Sequence, residues 1–229
     1  MLGRGTGPHA FVADLDHPVL DDHDQHHLAR ALRLRPGDPF TVSDGGGRWR
    51  PVRFGPEVTP DGDVVVVDAP RPVVTVALAP VKGQRPEWAV QKLTELGVDA
   101  IWLLDADRSV VRWTGDRAAG HAERLGRVVR EAAMQSRRCW LPEIRAGVPY
   151  AEAVAGPGAA IADRDGDPPT LARPCVLVGP EGGWTDAERA LAPACVGLGP
   201  GVLRAETAAV SVGTLLTALR AGLVAPTGP

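Results

Sequence analysis

From residue 73 onward the sequence alternates between short apolar runs and amphipathic helical stretches, and this rhythm restricts the fold more than any other feature. VVTVALAP reads as a buried strand, and PEWAVQKLTELGV as a helix with Trp88, Leu93 and Leu96 on one face. AIWLL is the next strand. A long helix over about 116–138 turns Leu125, Val128, Val129 and Ala132 inward and presents Glu131, Gln135 and Arg138 as a polar row. AAIAD, PCVLVG and CVGLG are further strands, with a helix over 185–191 before the last of them and a final helix at about 206–222. Strands joined by helices in this way predict the α/β class, with a mostly parallel sheet covered by helices.

The first 70 residues differ. HAFVADL and PFTVSDGGGRWRPVRF alternate apolar and polar residues around a Gly45-Gly46-Gly47 turn, and VVVVDAP closes a small, mostly β unit. One short helix, QHHLARALRL, interrupts it and stops at Pro36-Gly37. Pro70 and Pro72 mark the boundary between domains 1–70 and 73–229. Only the closing APTGP reads as disordered.

No apolar run approaches the roughly 20 residues needed to span a bilayer. Cys139, Cys175 and Cys195 form no CxxC pair, which favours reduced thiols over disulfides or zinc, and with them a soluble cytoplasmic protein. His23, His26 and His27 alternate with Asp21, Asp22 and Asp24, but nothing fixes a ligand geometry, so an exposed helix start is expected there and no metal. The net charge of −3 conceals two basic patches: eight arginines against Asp116, Glu123 and Glu131 over 108–138, and six against Asp38 and Asp44 over 30–53. Such patches suit RNA, although arginine stands in for lysine throughout this chain.

Two glycine-rich turns follow apolar strands, where open α/β sheets bind ligands. GPEGGW lacks both the spacing of a dinucleotide loop and the lysine of a P-loop, and Glu181 would repel a phosphate. A neutral or cationic ligand, such as an adenosine carrying a sulfonium, fits better. The glycines alone do not decide the matter, because Thr185 and Glu188 form a capping box that explains the helix start without a ligand. In LGPGVLRAET, Glu206 favours a helix dipole and Thr207 can cap locally, whereas Arg204 opposes the dipole and needs a carboxylate, phosphate or base to meet.

QKLTELGV, DRSVVRW, REAAMQSRRCWLPEI, GPEGGWTDAE and LGPGVLRAETA, in that order, resemble the motifs of the ribosomal small subunit methyltransferase E family. HHLARALRLRPGD is similar to that family's N-terminal PUA-like barrel, so the resemblance covers nearly the full chain. Members belong to the SPOUT superfamily and use S-adenosylmethionine to methylate N3 of one uridine in 16S rRNA, in the decoding region. The resemblance implies a PUA-like, RNA-binding β-barrel, then a methyltransferase domain tied in a trefoil knot at about 174–215, which pairs into homodimers. Knots are rare, which makes this a demanding expectation.

At the matching positions, Val178, Gly179, Pro180, Glu181, Gly182 and Gly183 would surround the cofactor together with Leu198, Gly199, Leu203 and Ala208. Arg204, Glu206 and Thr207 would lie near the reacting groups. Arg30, Arg33, Arg35, Arg108, Arg112 and Arg138 would hold RNA. The chain departs from the family pattern at Trp184, where Phe is usual and the swap is expected to be benign, at Gly201, and at Ala205, which removes a hydroxyl beside Arg204. Rival expectations are a SPOUT enzyme with another RNA target or a ribose 2′-hydroxyl, and a non-catalytic RNA-binding module.

Overall fold

The computed structural model describes residues 7–81, 85–113 and 116–225, so all of the closing APTGP but Ala225 lies outside the described residues. The chain divides into two compact units, Met1–Ala69 with Arg130–Leu141, and Pro70–Val129 with Pro142–Pro229.

In the first unit, β1 (His9–Phe11), β2 (Pro39–Ser43), β3 (Arg48–Arg53), β4 (Thr59–Pro60) and β5 (Val65–Val66) form one sheet. The expected hairpin forms, with β2 antiparallel to β3 and Ser43 opposite Trp49. Its turn demands glycine: Gly47 has φ +91°, and a Cβ there would sit 2.3 Å from the Trp140 ring. Period-two alternation sends Phe40, Val42, Val52 and Phe54 into a core with Leu28.

The expected helix starts earlier and is irregular. Helix α1 (Asp22–His26) is capped by the Asp21 carboxylate, which accepts from the Asp24 amide at 2.7 Å, and a π-helical turn over His27–Ala31 follows. Arg33 then takes the left-handed conformation at φ +58°. Asp24 is buried, and its carboxylate receives the Arg130 guanidinium at 2.5 Å. The same guanidinium donates to the Phe11 carbonyl at 2.9 Å and lies over the Phe11 ring.

The second unit holds β6 (Thr75–Leu78), β7 (Ala100–Asp105), β8 (Glu143–Pro149), β9 (Ala159–Asp167), β10 (Cys175–Val178) and β11 (Cys195–Val196). They pair in the order β11-β9-β10-β6-β7-β8, every pair parallel, as the alternating rhythm predicts. Strand β8 and the short helix α4 (Tyr150–Val154) that follows it were not expected. The chain steps outward from β6 through β7 to β8, then continues on the other side, so its direction of travel reverses between β6 and β10. All six carboxyl ends share one edge of the sheet, and at such a reversal that edge carries the binding crevice.

The remaining helices are α2 (Arg85–Leu96), α3 (Asp116–Gln135), α5 (Asp186–Leu191) and α6 (Ala205–Arg220). Two expectations are corrected here. Helix α2 buries Ala89, Val90 and Leu93, while Trp88 points outward at 46% exposure. Helix α3 ends at Gln135 and Arg137 turns left-handed at φ +56°, so Arg138 leaves the row begun by Glu131 and Gln135. Gly213 lets α6 approach α2 closely, since a Cβ there would lie 2.6 Å from the Leu93 side chain. Among the described residues, no helix is long and apolar enough to cross a membrane.

Candidate active site

Two segments leaving the carboxyl edge of the sheet and a stretch of β9 line a cavity of about 410 Å³. One wall is the turn after β10, where Val178, Gly179, Pro180, Glu181 and Gly183 line the space. The opposite wall is the approach to α6, with Leu198, Gly199, Leu203 and Arg204, and Ala208 one turn into the helix. Ala162, Asp163 and Arg164 of β9 supply the third.

The turn is built on Trp184, which is 2% exposed. Its indole N–H donates to the Ala162 carbonyl at 3.0 Å, tying the β10 turn to β9. Gly179 must be glycine for the same reason, because a Cβ would fall 2.9 Å from the indole ring. Tyr150 packs against the ring at a centroid distance of 5.2 Å and donates its hydroxyl to the Glu188 carbonyl at 2.6 Å. Burial, followed by the nearby Glu188 charge, pushes the Tyr150 hydroxyl up to about 12, so it stays a donor at physiological pH.

The capping box of α5 forms as expected: the Thr185 hydroxyl accepts from the Glu188 amide and the Glu188 carboxylate accepts from the Thr185 amide at 2.7 Å. Glu188 does more than cap. Its other oxygen accepts from the Asp107 amide at 3.0 Å, so the loop after β7 is joined to the turn after β10.

Charges of both signs face the cavity. The Arg189 guanidinium donates to the Asp163 carboxylate at 2.8 Å and to the Trp184 carbonyl at 2.8 Å. Burial alone would raise the Asp163 carboxyl, but bonds from the Arg189 guanidinium and the Arg164 amide hold it below the usual range. Cys195 is half-buried and its thiol is pushed up, first by burial and then by the Asp163 charge, which leaves it a poor nucleophile. Arg204 occupies the cap position of α6 with extended backbone, and it is exposed and lines the cavity.

Not every expected residue lines the cavity. Gly182, Glu206 and Thr207 do not line the cavity. Glu206 is 9% exposed and lies in the first turn of α6, where its charge favours the dipole. Thr207 does not cap, because it sits inside the helix and its carbonyl accepts from the Ser211 hydroxyl at 2.9 Å. Arg112 is held by the Asp105 carboxylate at 2.7 Å and the Asp107 carbonyl at 2.8 Å. Arg30, Arg33 and Arg35 are exposed on the first unit. Sequence reasoning missed Ala162, Asp163, Arg164 and Arg189, which line the cavity from β9 and α5. An ion pair 26 residues apart leaves no spacing signal.

Residues 68–217 match the family described as RNA methyltransferase domain, and 20–53 match the RNA methyltransferase PUA domain. A ribosomal RNA small subunit methyltransferase E from Synechocystis is 36% identical over 215 residues, covering 80% of this chain and 67% of that one. The protein of the same name from Mycobacterium bovis is 32% identical, covering 83% and 82%. In structure, the ribosomal RNA small subunit methyltransferase E from Neisseria gonorrhoeae bound to S-adenosyl methionine superposes with a TM-score of 0.77 at 27% identity, over 93% of this chain and 97% of that one.

Proposed function

Because the chain belongs to the ribosomal RNA small subunit methyltransferase E family, we propose that it methylates N3 of one uridine in 16S rRNA with S-adenosylmethionine. One observation carries this reading. The two glycine turns and β9 enclose a single cavity with Arg204 at its wall.

The cavity fits the cofactor. Its size, about 410 Å³, falls in the range of small-molecule sites, roughly 300–1,000 Å³. No lysine lines it, and Glu181, Asp163, Arg164 and Arg189 offer both charges to a ligand that carries both. Val178 to Glu181 with Gly183, Leu198, Gly199, Leu203 and Ala208 would hold the cofactor. When bound, the cofactor supplies a methyl group on a sulfonium, which leaves as a neutral thioether without needing a proton.

The protein's work is then to hold the uracil in line and control its charge. Arg204 stabilises the negative charge that develops on the uracil carbonyls as N3 loses its proton. Glu206, buried and outside the cavity lining, serves the helix start, and the N3 proton passes to solvent. Arg30, Arg33 and Arg35 of the first unit bind the RNA backbone, an attraction that weakens steeply with salt. Pairing into homodimers through the second unit and a trefoil threading of 174–215 complete the proposal.

The test is turnover by Arg204→Ala, with cofactor binding measured separately by calorimetry. Turnover is expected to fall at least about 100-fold with cofactor affinity retained. Undiminished turnover would refute the role of Arg204, and lost affinity would move it to cofactor binding. Loss of N3-methyluridine from rRNA in a deletion strain supports the target, and an unchanged level defeats it.

A further inference from the structure

The geometry points to Arg108 and Gly182 as an interlocked pair that positions the cofactor turn, a role distinct from RNA contact and resting on the cofactor reading above. Arg108 sits in the loop after β7, beside Asp107 and far in sequence from the turn it meets. Its guanidinium Nη1 donates to the Gly182 carbonyl at 3.0 Å and to the Trp184 carbonyl at 3.2 Å. Both carbonyls belong to the turn that forms one cavity wall.

Gly182 has a matching reason to be glycine. Its Cα lies outside the cavity lining, and a Cβ there would fall 3.3 Å from Arg108 Cβ and 3.6 Å from Arg108 Cδ. The missing side chain leaves room for the Arg108 stem. The backbone of Gly182 is not in the left-handed region, so this close approach, tight by a few tenths of an ångström, is what favours glycine there, and not conformational freedom.

A second tie crosses the same gap. Glu188 accepts from the Asp107 amide at 3.0 Å and the Thr185 amide at 2.7 Å. The turn is therefore held at 182 and 184 by Arg108, and at 185 by Glu188, which also holds the loop at 107. The Ser109 amide donates to the Ala106 carbonyl at 3.0 Å, closing that loop on itself.

Such bracing bears on binding through entropy. The turn contains Gly179, Gly182 and Gly183, and fixing such backbone costs conformational entropy. A turn ordered before the ligand arrives leaves that cost out of the binding step. Arg108 is a positioning residue in this scheme, acting on the cofactor through the Gly182 and Trp184 carbonyls.

The experiment measures S-adenosylmethionine binding by calorimetry without RNA, with amide exchange of 181–185 in the unliganded protein as a second readout. Arg108→Ala is expected to weaken binding about tenfold, the effect of losing charge-assisted bonds, and to speed exchange across 181–185. In steady-state kinetics a brace acts mainly on affinity, so the rise in the cofactor KM should exceed any fall in kcat. Gly182→Ala is expected to weaken binding about threefold in the wild-type background and to have no further effect in Arg108→Gly, which removes the Cβ and Cδ that the new methyl would meet. Unchanged affinity and exchange in Arg108→Ala, or effects of Gly182→Ala and Arg108→Gly that simply multiply, would overturn the interlock. A wild-type protein that binds no S-adenosylmethionine refutes the cofactor reading itself, and exchange in Arg108→Ala then still decides whether the turn is braced.

Discussion

Replacing Glu188 with Gln keeps the side chain's shape and takes one acceptor out of a site made of donors. In the folded protein Oε1 accepts from the Asp107 amide at 3.0 Å. Oε2 accepts from the Thr185 amide at 2.7 Å and the Thr185 hydroxyl at 2.9 Å. Glutamine offers one oxygen and one NH2 at those positions, and whichever way the amide turns, its NH2 faces a backbone N–H. Thr185 presents two donors, so the oxygen settles there and the Asp107 amide loses its partner. One charge-assisted bond is lost from a residue that is 4% exposed, and about 2 kcal/mol of stability goes with it. Glu188→Ala also breaks the capping box and should cost about 1 kcal/mol more.

Urea unfolding of the second unit reads the loss as a lower midpoint at unchanged slope. Amide exchange reads it locally: protection of Asp107 should fall at least about tenfold, while amides in β6 and β10 change only by the global difference. A Glu188→Gln protein within about 0.5 kcal/mol of wild type, with Asp107 still protected, would refute the reasoning. The carboxylate would then be a surface cap and nothing more.

The remaining predictions concern the first unit. His9 is buried, shares a hydrogen bond with the Thr41 hydroxyl at 2.9 Å, and is pushed down to about 4 because burial and then the Arg137 charge oppose its proton. The unfolded ring takes its proton near 6.5, so the stability is complete above that pH and is lost as pH falls through the window down to about 4, by up to about 3 kcal/mol. Urea midpoints followed across the window should show a slope that His9→Gln removes. Arg130→Met leaves Asp24 buried without its charged partner and should cost about 3–5 kcal/mol in chemical denaturation. Gly47→Ala should destabilise by about 2 kcal/mol or more, read as a lower midpoint in the same assay, because it combines φ +91° with a clash against the Trp140 ring.

The sequence patterns that proved readable were those with a local cause. The Gly45-Gly46-Gly47 turn sets the hairpin, and Thr185 and Glu188 set the start of α5, because each effect spans only a few residues. β8 escaped notice because it is an edge strand interrupted by Arg145 and Gly147 and only half-buried along most of its length, so it lacks an apolar run. Trp88 misled because helical spacing leaves a large apolar residue free to lie beside the buried face, which here is formed by Ala89, Val90 and Leu93. The two glycine turns were found as cavity walls, yet Arg189 and Asp163 were not, since their pairing depends on how β9 and α5 come together. Arg108 reads in sequence as one cation in a basic run. Only the folded chain brings it to carbonyls 74 and 76 residues away.

The central pairing of the parallel sheet has a consequence for how the protein is made. β6 is registered against β10 with Thr75 opposite Cys175, a hundred residues downstream. At roughly 5–20 residues per second of synthesis, β6 waits about 5–20 s before its partner strand exists. Until then one side of a buried strand is open, and closing so long a loop is slow even when the partner arrives. The cavity walls come from 162–164, 178–184 and 198–208, so no nascent chain shorter than nearly the whole second unit can hold a ligand. The protein should gain its binding activity all at once, only after Ala208 has emerged from the ribosome.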